Sequence, residues 1–260
     1  MALNQPDVTG APYPGAPVTY TEALAAGVPL RRSRWGLADV GIAIVAALLV
    51  PVLVLGALIA AGVPKSGGVV LLLSAALPWV GFGLWPWLTT RLQGNGPRID
   101  LGLAFRPVDV LWGLGGGAAC LVFGTLAASV TEHFFGEFGS AAGDAAVNSG
   151  APHWVILVFA VFAVVGAPLC EELCFRGLTF AAFARVSVGR GWPGVPVATI
   201  ASTVLFAGVH FEPVRLLVLL VIGLVLSLLR ARTGRVGASV IAHGLNNVWG
   251  VIGILQAISG

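Results

Sequence analysis

Glu171, Glu172, Arg176, His210, His243 and Asn247 are acid–base or donor side chains set inside long apolar runs of this sequence. Hydrocarbon makes charge expensive, so an ionisable residue within an apolar helix carries a functional hypothesis by default. One buried His or Asn is ordinarily a satisfied link between helices. Two carboxylates, two histidines, an arginine and an amide in one bundle point instead to chemistry. Spacing divides the labour among them. Glu172 and Arg176 are four residues apart with the acid nearer the amino end, the favourable order for a helical ion pair. Glu171 is turned about 100° from Glu172 around the helix, lacks that partner, and is the natural general base. His243 and Asn247, also four apart, share a helix face. Phe206, four residues before His210, gives that histidine an aromatic neighbour. Pro168 removes a helical hydrogen bond just before the acidic pair and predicts a bend there.

Helices in a membrane must position these groups, because composition excludes a water-soluble domain. Hydrophobic residues make up 57% of the 260 and charged residues 10%, against about 25% charged in an ordinary soluble domain. Mean hydropathy is +0.95. A cytosolic globular enzyme, a disordered chain and a nucleic-acid binder are all excluded on this ground. Three cysteines are too few for a disulfide scaffold, and Cys170 and Cys174 read as small packing residues. Apolar runs near the ~20 residues needed to cross a bilayer predict an all-α polytopic bundle. The spans fall at 38–62, 68–90, 108–131, 153–183, 194–211, 213–229 and 236–258, with room for an eighth in the long fourth run.

Residues 1–35 are rich in Pro and Gly and predict a flexible cytoplasmic tail; residues 36–260 form one transmembrane domain. With the tail inside, Arg31, Arg32, Arg34, Arg91, Arg98, Arg106, Arg185, Arg190, Arg230, Arg232 and Arg235 fall on the cytoplasmic side. Lys65 and Arg215 fall on the other, as the positive-inside rule requires. The Gly113-Leu114-Gly115-Gly116-Gly117 stretch has the letters of a dinucleotide fingerprint. It lies inside a span with no preceding strand, so close helix packing is expected of it.

Glu171-Glu172-Leu173-Cys174-Phe175-Arg176 resembles the EExxxR motif of the CPBP intramembrane proteases, the family of CAAX-processing endopeptidases and bacteriocin-processing proteins. Phe206–His210 resembles that family's FxxxH motif and His243–Asn247 its HxxxN motif. The three occur in the family's order, each within an apolar run, over about residues 152–250. The resemblance implies peptide-bond hydrolysis within or beside the membrane. Glu171 and His210 would activate a water, His243 and Asn247 would stabilise the oxyanion, and Glu172, Arg176 and Phe206 would support them. It also implies a membrane-associated peptide or protein substrate, with the lipid bilayer as the other partner.

The family carries a metalloprotease label, and Glu171, His210 and His243 could supply three ligands to zinc or another divalent metal, leaving a fourth position for water. A metal-free Glu/His mechanism is the alternative, and there is no HExxH pair to decide between them. The Ala/Gly/Val/Arg-rich, Lys-poor composition points to a GC-rich bacterium and its inner membrane, which argues against a prenylated substrate. Two rival functions use the same residues: a proton- or cation-coupled transporter, and a noncatalytic adaptor or immunity protein that keeps the protease fold.

Overall fold

The computed structural model describes residues 22, 23 and 25–259; most of the expected tail, residues 1–21, lies outside them. The described residues form α1 (Leu37–Ala60), α2 (Gly68–Gln93), α3 (Pro107–Phe135), α4 (Ala141–Val147), α5 (His153–Gly189), α6 (Gly194–Gly208), α7 (Leu216–Thr233) and α8 (Gly237–Ser259). There is no strand among them. All helices except α4 and α6 are long and apolar enough to cross a membrane. α6 has 15 residues, about 22 Å of rise against ~30 Å of hydrocarbon. The turn at 209–215 therefore stops short of a full crossing, in keeping with the near-absent loop in the sequence. α5 continues as one helical segment of 37 residues, α and π turns together, so the eighth span for which the sequence left room does not form.

The helix starts are built from aspartates. Asp39 and Asp109 each sit in the first turn of their helix and accept from the backbone N–H three residues earlier, Gly36 and Arg106. A carboxylate there answers the unpaired N–H groups and the positive end of the helix dipole. Thr89 ties Asp39 to α2, and Arg235 grips Asp109 with two guanidinium nitrogens, joining α3 to the α7–α8 turn. Trp35, just before α1, is buried and donates its indole N–H to Asp100, while the Arg185 guanidinium stacks 3.5 Å above its ring.

α3, α5, α6, α7 and α8 pack around a core centred on Phe175, Phe206, Leu226 and Ala242. α1 lies at the edge, with only 11% of its apolar window buried, and turns Val45, Val52 and Leu53 outward to lipid. The glycine stretch of α3 works as expected. A Cβ at Gly113 would lie 2.5 Å from Ile241 and one at Gly117 3.0 Å from Leu245, so only glycine lets α3 and α8 approach this closely.

Wide π-helical turns interrupt α2 at Val80–Leu84 and α5 at Phe162–Gly166 and Leu173–Thr179. Such turns free backbone carbonyls from the helical ladder and recur at functional sites. Both turns of α5 flank the acidic pair.

Candidate active site

Glu172 and Arg176 are wholly buried and joined at 2.8 Å, as their spacing predicts. The partner that the sequence did not reveal is His243. Its Nδ1 lies 2.9 Å from Oε1 of Glu172, the same oxygen that accepts from Arg176. One carboxylate oxygen thus joins α5 to α8, and Arg176 extends the link to α7 by donating to the Gly223 carbonyl at 2.9 Å. A carboxylate can only accept, so Nδ1 of His243 carries the proton and Nε2 faces outward from the pair.

That Nε2 faces Glu171. The two are separated by 3.9 Å, Glu171 Oε2 has no hydrogen-bond partner, and the Glu171 side chain is 18% exposed. Glu171 is the one acidic member of the cluster with any exposure. His210 sits in the turn after α6, where its Nδ1 lies 2.7 Å from the Phe206 carbonyl. By the same donor rule its Nε2 is unprotonated when the ring is neutral. No His210–carboxylate contact within 4 Å occurs among the described residues, so the structure places Glu171 beside His243 and holds His210 through Phe206.

Phe206 is the hub of the site. Its ring centroid lies 4.8 Å from that of His210 and 5.7 Å from that of His243, both edge-on. The Arg176 guanidinium sits 4.4 Å from the same ring, within cation–π range. Both histidines and the buried cation therefore rest on a single phenyl group.

Asn247 is positioned by a defect in α5. Ala167 N–H donates to Phe162 across the π turn, and Pro168 has no N–H to give. Ala163 O is thereby left without a donor from those two residues, and Asn247 Nδ2 supplies one at 2.9 Å. Gly244 permits this approach, since a Cβ there would lie 2.7 Å from Val164 O. The second π turn follows the same logic. Ser202 donates to Phe175 O and Arg230 to Arg176 O, at 2.9 and 2.8 Å. Pro168 was a sequence signal for the first defect. Ser202 and Arg230 carried none, because Arg230 reads from sequence as one more charge at a helix end.

The expected metal candidates do not fit a metal. Catalytic zinc needs three donors about 2 Å from one point, and among the described residues no three His, Cys, Asp or Glu side chains gather that way. The Nδ1 bonds to Glu172 and the Phe206 carbonyl leave the Nε2 of both histidines available, so it is the spacing of the three side chains that fails the fit. Glu171, His210 and His243 are therefore described without a metal, and no chemical step is routed through one.

Fold and site together define a class: a polytopic integral membrane protein with a carboxylate–histidine–arginine centre buried in its helices. Residues 152–249, which carry all three motifs, match the family model described as Rce1-like, type II CAAX prenyl endopeptidase Rce1-like. That match takes in all three motifs and less than half of the chain, and it is the motif-bearing segment that is similar to this family. The chain is also similar to the protein named "Putative membrane peptidase YdiL" of Bacillus subtilis (strain 168). The two are 27% identical over 164 residues, covering 63% of this chain and 62% of that protein. The chain thus matches less than two thirds of the relative's length. No solved structure matches it.

Proposed function

We propose that the protein is an intramembrane endopeptidase that hydrolyses a peptide bond of a membrane-associated protein or peptide. The observation that carries this reading is Glu171. It holds a buried, unpartnered carboxylate oxygen 3.9 Å from a histidine nitrogen, on the one partly exposed acid of the cluster. Glu171 takes a proton from water, the resulting hydroxide attacks the scissile carbonyl carbon, and the proton passes to the departing amine nitrogen. His210 offers its Nε2 as the second acceptor for that water.

Glu172 balances positive charge on His243 through Nδ1. With a second proton taken from solvent before the cycle and kept through it, His243 presents its Nε2–H as a donor aimed at the developing oxyanion. Asn247 retains a second amide N–H beyond the one spent on Ala163 O. Preorganised donors of this kind are each worth about 10²–10³ in rate. Arg176 and Phe206 hold the two histidines in register. The amino-terminal segment 1–35 serves as a tail and 36–260 as the protease domain, in a bacterial inner membrane with the amino end in the cytoplasm.

A cleavage assay with a membrane-tethered peptide in proteoliposomes tests the reading. Glu171→Gln should abolish cleavage and leave the thermal unfolding midpoint near that of the wild type. Residual cleavage at wild-type rate would sink it. If the wild type itself cleaves nothing while driving proton or cation flux, the transporter reading takes its place.

A further inference from the structure

Acids and bases are treated unequally at the arginine-bearing end of the bundle. Asp39, Asp100 and Asp109 are 7%, 0% and 0% exposed, each accepting hydrogen bonds from within the fold. Arg31, Arg32, Arg34, Arg91, Arg98 and Arg106 are exposed. Among the described residues, Arg106 alone of these six has a carboxylate partner, Glu22. The fold has withdrawn aspartate from this rim and left guanidinium groups on it.

Sidedness alone explains a ring of positive charge, but not its companions. Arg91 lies 5.1 Å from the Trp87 ring centroid and Arg232 lies 5.4 Å from that of Trp112. Tryptophan settles at the headgroup level of a bilayer, so these pairs hold guanidinium groups at the depth of lipid phosphate. At the same end is an open cavity of about 330 Å³, lined by Arg98 and Arg106 together with Glu22, Leu103, Ala104 and Phe105. Phe105 is 53% exposed, and Leu92 and Leu111 near the same rim are 70% exposed. Two phosphate-matching forks thus share a seat with apolar side chains that face hydrocarbon.

We propose that this cavity binds the headgroup of an anionic phospholipid, with Arg98 and Arg106 on its phosphate and Phe105 against its glycerol and acyl root. Glu22 is the counter-ion the lipid displaces from Arg106. The lipid, rather than free phosphate, is the occupant because the seat joins guanidinium groups to a hydrocarbon-facing rim. The site is independent of proteolysis, so its test needs no activity.

The full chain is reconstituted in nanodiscs of equal parts phosphatidylcholine and phosphatidylglycerol, extracted gently, and its retained lipids are weighed by native mass spectrometry. Wild type should keep phosphatidylglycerol over phosphatidylcholine. Each arginine near an anionic surface contributes about fivefold, so R98Q/R106Q should lose roughly 25-fold of that preference while unfolding at the wild-type temperature in phosphatidylcholine alone. K65Q, at the opposite end, should keep it. Equal retention of both lipids by wild type overturns the proposal without reference to any variant. So does an R98Q/R106Q protein with the preference intact, an equal loss in K65Q, or displacement of the lipid by millimolar inorganic phosphate.

Discussion

Replacing Glu172 with Gln separates charge from geometry at the centre of the site. Oε1 of Glu172 accepts both the Arg176 and the His243 hydrogen bonds, while Oε2 is buried without a partner. An amide oxygen can take over both bonds, with its NH₂ in the place of Oε2, so the shape survives and the negative charge does not. Arg176, with no exposed surface, then keeps a buried positive charge without its bonded counter-ion. Removing one partner of a buried pair costs about 3–5 kcal/mol. The retained hydrogen bonds and nearby Glu171 favour the low end, about 3 kcal/mol, or about 6–12 °C of unfolding midpoint for a chain of this size.

Catalysis falls separately, because an imidazolium at His243 loses its balancing carboxylate. The loss of that oxyanion donor is worth about 10²–10³ in kcat. A second variant, Glu172→Gln with Arg176→Met, removes both charges. With both charges gone no uncompensated ion is left in the core, so the double variant should regain most of the midpoint and none of the rate. The assays are thermal unfolding in nanodiscs and cleavage of a tethered peptide. A single variant that melts within a degree of wild type and cleaves at full rate would refute the proposed coupling of Arg176, Glu172 and His243.

Further expectations follow from the other contacts. Asn247→Ala strands Ala163 O and should cost about 1–3 kcal/mol of stability as well as an oxyanion donor; Asn247→Asp, which restores no donor, should not recover the rate. Asp100 should make stability depend on pH. Burial raises its carboxyl above the ordinary 3.8, outweighing the hydrogen bonds from Trp35 and Asn95 and the Arg185 charge that pull it down. The folded state then binds its proton more tightly than the unfolded chain, so the stabilisation is complete below 3.8 and is lost as pH rises through the folded value. Asp100→Asn should accordingly gain on wild type as pH rises from 3.8, and a pH-independent gap between the two melting curves would contradict this. Cleavage should survive chelation, since the three candidate ligands do not gather; loss under chelator that zinc alone restores would overturn that expectation.

Much of the architecture could be read from the chain because bilayer thickness acts on one-dimensional sequence. Seven apolar runs became α1, α2, α3, α5, α6, α7 and α8, with ends within four residues of expectation except that of α5, which runs on past 183 to Gly189. The Glu172–Arg176 pair was legible for the same reason: a four-residue spacing on one helix is a local quantity. Other features were hidden because they depend on which helices touch. The sequence made Glu171 a carboxylate without a partner, whereas packing sets it 3.9 Å from His243. It placed Arg230 and Arg235 among charges at a helix end, whereas both are buried, one on Arg176 O and the other on Asp109.

By itself, then, the sequence determined that this is a helical membrane protein, where its spans run, and which polar residues had to earn a place inside them. Hydrophobic length and helical periodicity are local, and a single chain carries them in full. Tertiary structure alone decided that Glu172 serves Arg176 and His243 together, that Phe206 supports both histidines, and that Asn247 answers a carbonyl freed by Pro168. Those pairings join residues as many as 84 positions apart. Hydrocarbon gives a buried polar group no water to turn to, so what its own helix cannot satisfy must come from another, and only the packed bundle says which one.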